Sequence, residues 1–147
     1  MAFSIRRIVT GHDADGKAII VTDNEMEALE GRPGTGIHNA IMWATDQMPV
    51  DINGEDRGGQ KMEIAPGPNG SIFRILEVPP GAAPYNHRTD TIDYVIVLEG
   101  EIDMTLEGSE VHMNTGDVMI QCGTIHAWDN RETKPCRIAF ILMDGKM

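Results

Sequence analysis

The stretch YVIVLEGEIDMTLEGSEVHMNTGDVMIQCGTIHAWD, residues 94–129, decides the fold. Short runs at Tyr94 to Leu98, Ile102 to Leu106, Glu110 to Met113, Asp117 to Gln121 and His126 to Asp129 alternate with turn chemistry at Glu99-Gly100, Glu107-Gly108-Ser109 and Asn114-Thr115-Gly116. Strands this short and this close together, with no helical period between them, predict an antiparallel sandwich or a closed barrel of jelly-roll type. Ser71 to Val78 before the stretch and Cys136 to Met143 after it extend the same rhythm.

Toward the N-terminus, Arg6 to Thr10 and Lys17 to Thr22 flank Asp13-Ala14-Asp15-Gly16 and predict a hairpin. Asn24 to Glu30 reads as a short helix, broken by the glycines between Gly31 and Gly36, and His38 to Thr45 as another strand. Asp51 to Gly59 is acidic, carries glycine and reads as a surface loop. The expected organisation is one all-β structural domain in which residues 1–70 form a hairpin and loop segment packed on a barrel built from residues 71–147.

Composition removes several classes of function. At 147 residues, 41% hydrophobic and 24% charged, the chain is too apolar for disorder and too interrupted for a membrane span. A formal net charge of −11 repels a phosphate backbone and an anionic lipid surface, so neither nucleic acid nor membrane is an expected partner. The apolar run in Met1 to Val9 is too short for a signal peptide, which makes the cytoplasm the expected compartment, with Cys122 and Cys136 as free thiols. Cys122 is expected to be a small buried hydrophobe. Asp13-x-Asp15-Gly16 lacks the further acidic positions of a calcium loop, and no Gly-Lys-Ser/Thr follows Gly31 to Gly36 to make a phosphate loop.

Side chains alternate faces along a strand, so His87, Thr89 and Asp93 share a face if the chain there is extended. His126, Trp128 and Asn130 form a second same-face set. If both sets point into one barrel, two imidazoles and a carboxylate converge, a group suited to a divalent transition metal with coordination positions left open. Arg74, within an apolar β run, either points inward as a clamp for a carboxylate or lies exposed on an edge strand, the more common case. Tyr85 and Tyr94 offer phenols, Trp128 a wall beside His126, and His38 and Trp43 a lid or second wall, with plain packing the competing use of each.

The run Gly81 to Asp93, closing at Gly100, resembles the first sequence motif of the cupins, and Gly116 to His126, with Asn130 four residues on, resembles the second. Thr89 stands where the family's second histidine is usual, and Asp93 where its glutamate is. The second motif lacks its proline, with Cys122 near that position, and is one residue short between Gly116 and Gly123. This resemblance implies a double-stranded β-helix barrel with His87, Asp93 and His126 as the metal and catalytic set. It further implies Fe(II) as first choice, or Mn, Ni or Zn, and a small-molecule substrate handled by oxidoreductase, dioxygenase-type chemistry. Lyase, isomerase or dehydratase chemistry, or plain small-molecule binding, are the family's alternatives. Small cupins pair through sheet edges, so a homodimer is the expected assembly.

Overall fold

In the computed structural model, which describes residues 3–147, the chain is all β. An N-terminal hairpin pairs β1 (Ser4–His12) with β2 (Ala18–Glu27). Six strands form the main sheet in the order β3 (Leu29–Glu30), β4 (His38–Thr45), β5 (Ser71–Val78), β11 (Cys136–Asp144), β6 (Thr91–Glu99) and β9 (Val118–Cys122). A smaller sheet orders β10 (Ala127–Asp129), β7 (Ile102–Thr105) and β8 (Glu110–Met113). No helix long and apolar enough to cross a membrane occurs among the described residues.

The expected helix at Asn24 to Glu30 is not there. Asn24 lies opposite Arg7 and Glu27 opposite Ser4, so the segment completes the hairpin and then turns into β3. Backbone pairing with β1 satisfies its polar groups, and Met26 packs toward the buried cluster beneath the hairpin. Tertiary pairing here overrides a local helical pattern.

The strand alternation separates two cores. Facing the small sheet, Ile138 lies between Leu76 and Val97, Phe140 between Arg74 and Val95, and Leu142 between Ile72 and Asp93. These side chains pack with Ile102, Met113 and Trp128 from the small sheet, which closes the barrel. On the outer face of the main sheet, Ala40, Ile75 and Ala139 are covered by Phe3, Met26 and Ala28. The small alanines there let the hairpin approach closely. Arg7, on the hairpin, donates to Met42 O at 3.2 Å and bridges Asp56 at 2.6 Å, tying the 51–59 loop to β1.

Candidate functional site

His87 lies in the connection between β5 and β6, and His126 immediately precedes β10. Their backbones form an isolated antiparallel bridge, each N–H donating to the other's carbonyl at 3.0 Å. Opposed residues of such a bridge put their side chains on one face. The two imidazole centroids accordingly stand 4.4 Å apart.

Each ring is held by a carbonyl two residues earlier in the chain. His87 Nδ1 lies 2.9 Å from Tyr85 O, and His126 Nδ1 lies 2.7 Å from Thr124 O. A carbonyl only accepts, so both Nδ1 atoms carry the proton, and in the neutral ring Nε2 keeps its lone pair. Burial pushes the His126 pKa down, opposed by the bond to Thr124 O and reinforced by His87. The His126 ring is therefore held in its neutral, lone-pair-bearing form.

Behind His126 runs a chain of polar groups. Thr91 Oγ1 donates to Asp93 Oδ1 at 2.6 Å, which leaves Thr89 Oγ1 as the donor in its 2.7 Å contact with Thr91. Gln121 Nε2 donates to Asp93 Oδ2 and to His126 Nε2, both at 3.1 Å. The carboxylate fixes this amide orientation, because the reverse one would set oxygen against oxygen. Asp93 and Gln121 are 5% and 3% exposed. Gln121 Oε1 is buried and has no partner among the described residues.

The other residues singled out in the sequence divide between barrel and exterior. Trp128 stands edge-on to His126 at 6.2 Å and to Phe140 at 5.5 Å, and so walls the interior. Tyr85 stacks on His87 at 5.2 Å and also carries the Arg32 guanidinium over its ring, 3.9 Å from the centroid. Arg74, expected more readily on an exposed edge, is 8% exposed and on the inner face opposite Phe140. Its Nη2 donates to Glu63 O and Ile64 O.

Tyr94, His38 and Trp43 are not in the site. Tyr94 is 42% exposed and pairs with Ile141 and Ile120 on the outer face, because it is one residue out of phase with Asp93. His38 lies opposite Glu77 and Trp43 opposite Phe73, again outside; a bulge between Ile41 and Trp43 shifts the phase of β4. Asn130, in phase with His126, binds Val78 O and Lys134 O and so holds a turn. Cys122 is exposed on the edge strand rather than buried. Burial pushes the Cys136 thiol up to about 12, which makes it inert.

Sequence reasoning missed Gln121. Its signal was a polar residue in phase with Met119 on a strand whose inward positions should be apolar.

The donor set can be tested against a metal ion. With Nδ1 on Tyr85 O, His87 leaves Nε2 for an ion, whereas His126 Nε2 would first have to give up its 3.1 Å bond from Gln121. Asp93 is set back from the pair, because Gln121 stands between it and His126 and donates to both. Elsewhere among the described residues, ligand atoms of Glu101, His112 and Glu132 lie within 4.8 Å of one another. That cluster is outside the barrel, and both nitrogens of His112 already contact carboxylates, Glu101 at 2.9 Å and Asp103 at 3.0 Å.

Comparison with known proteins agrees with this architecture. The cupin domain family matches residues 74–142. "Phomopsin biosynthesis cluster protein C'" of Diaporthe leptostromiformis is 36% identical over 95% of this chain and 78% of its own length. "Cupin-domain-containing oxidoreductase virC" of Hypocrea virens is 33% identical over 95% of this chain and 76% of its own. A solved RmlC-like cupin from Shewanella frigidimarina superposes with a TM-score of 0.56 at 13% identity, covering 82% of this chain and 85% of that one.

Proposed function

The chain belongs to the cupin family, and from that premise we propose that it is a metal-dependent oxidoreductase acting on a small organic molecule at His87 and His126. The single observation that carries this reading is the opposed imidazole pair, 4.4 Å apart, with both Nδ1 atoms locked on carbonyls. The oxidoreductase class comes from relatives that bear that name. An ion of Fe(II) type, held by His87 Nε2 and His126 Nε2, would supply Lewis-acid and redox chemistry, of dioxygenase type in our reading.

The protein's own groups have separable tasks. Asp93 holds the Gln121 amide, and Thr91, itself bonded by Thr89, holds Asp93. Trp128 and Phe140 exclude water from the inner wall. A second reading, proton transfer by the imidazoles without a metal, is favoured by one contact: the Gln121 N–H already occupies the lone pair of His126 Nε2. Elemental analysis of protein purified without chelators separates the two. The metal reading expects about one ion per chain, lost in His87→Ala and in His126→Ala. Metal-free wild-type protein that still turns over a substrate favours the second reading, and metal-free protein that only binds leaves a binding module.

Free thiols at Cys122 and Cys136 suit a reducing compartment, and we place the protein in the cytoplasm. We also propose a homodimer. Trp43, Phe73, Ile141, Tyr94 and Ile120 form a continuous outer row across β4, β5, β11, β6 and β9, beside the part of the sheet covered by the hairpin. At its end, β9 is an edge strand with Val118 and Ile120 exposed. A second copy would cover both the apolar row and the open edge. Light scattering is expected to give twice 16.1 kDa, and Phe73→Lys with Ile120→Lys to give 16.1 kDa; a wild-type monomer refutes the dimer.

A further inference from the structure

Three of the buried polar atoms without a partner lie on inner-face positions of the barrel: Arg74 Nε, Gln121 Oε1 and Asn39 Oδ1. Arg74 is opposite Phe140, Gln121 opposite Asp93, and Asn39 opposite Leu76. The interior thus presents one cationic donor and two neutral acceptors whose bonding capacity the protein does not use.

Arg74 is the unusual member. A guanidinium buried to this degree is ordinarily paired with a carboxylate. Among the described residues Arg74 forms no ion pair, and all its hydrogen bonds come from Nη2, to the carbonyls of Glu63 and Ile64 at 2.6 and 3.0 Å. Those bonds anchor the 46–70 connection to the barrel and fix the plane of the guanidinium. The Nε and Nη1 N–H groups remain without an acceptor, and Nε is buried. Asp93, on the adjacent inner row, favours the Arg74 cation from a distance but forms no ion pair with it, its oxygens accepting from Thr91 and Gln121.

We propose that the barrel selects a singly charged organic carboxylate, held on the Nε and Nη1 side of Arg74, with a hydroxyl of the same molecule donating to Gln121 Oε1. This rests on the barrel interior being the working site proposed above, and it names the substrate class. A carboxylate matches the planar fork of a guanidinium. A dianion such as a phosphate monoester is disfavoured, since one cation would face two charges with the Asp93 carboxylate close by. The aromatic wall of Trp128 and Phe140 suits an apolar body between the two polar ends.

The test is binding, independent of turnover. Wild-type protein is titrated calorimetrically with 4-hydroxybenzoate, 4-hydroxybenzamide and benzoate. The expected result is at least about tenfold tighter binding of the acid than of the amide, and weaker binding of benzoate than of 4-hydroxybenzoate. Arg74→Met is expected to abolish the acid preference, and Gln121→Leu to abolish the preference for the hydroxyl. If Arg74→Met does not fold, Arg74→Lys decides, because an ammonium lacks the two-point grip and should reduce the acid preference several-fold. Equal binding of acid and amide, no binding of the acid up to millimolar concentration, or an acid preference unchanged in the deciding variant overturns the proposal. His87→Ala is expected to keep the acid preference while removing the chemistry, so a failure of the catalytic reading and a failure of this one give different results.

Discussion

Replacing His126 with alanine is expected to lower turnover by about 10²- to 10⁴-fold, the range for losing a group that works directly on the reacting atoms. The fold should survive. His126 N and O, which make the bridge to His87, belong to the backbone and remain. The side chain contributes only the bonds to Thr124 O and to Gln121, and leaving their partners unmatched costs roughly 1–3 kcal/mol. Asn130, in phase with His126, supplies the control. Its amide donates to Val78 O and Lys134 O at 2.9 Å, and its carbonyl accepts from Glu132 N at 2.9 Å. Asn130→Ala is therefore expected to lose stability with little change in turnover per folded molecule. Steady-state turnover and thermal denaturation of both variants check the pair. An Asn130→Ala loss of turnover as deep as that of His126→Ala, or a His126→Ala enzyme near wild-type rate, removes His126 from the chemistry.

The barrel was legible because strand alternation and turn residues are local signals, and β5, β8 and the hairpin all fall where the pattern predicts. The segment from Asn24 to Glu30 was misread for the same reason. Its pattern is locally helical, and the partner that claims it, Ser4 to Arg7, lies about twenty residues away in the chain. His87 and His126 were legible through motif spacing. Arg74 was ambiguous because alternation assigns it to the face of Ile72 and Leu76 without saying which face is inner; only the register with Phe140 and Val95 decides that. Trp43 was misplaced, since a bulge after Ile41 is invisible to a period-two count, and His38 because its register opposite Glu77 is not a local signal. Gln121 carries no motif, and its importance comes from standing between Asp93 and His126.

Ile138→Ala is expected to destabilise the protein by about 2–5 kcal/mol, the range for emptying a fully buried aliphatic position. Ile138 is 0% exposed at the middle of β11, between Leu76 and Val97. Strands on both sides fix its surroundings, so the cavity cannot collapse without breaking ladder pairing. In a domain of this size each kcal/mol moves Tm by about 2–4 °C, which puts the expected fall at roughly 4–20 °C. The next residue tests the architecture. Ala139 points the opposite way, into the layer beneath Phe3. If the hairpin covers that face as closely as the structure has it, Ala139→Leu overpacks the layer and costs about 1–3 kcal/mol. On a sheet wet on one side, the added isobutyl group would rest on the surface at little cost. Thermal denaturation that finds Ile138→Ala damaging and Ala139→Leu neutral would show that the hairpin is not a fixed layer of the fold. Damage from both, at adjacent positions of opposite phase, is what a strand dry on both faces requires.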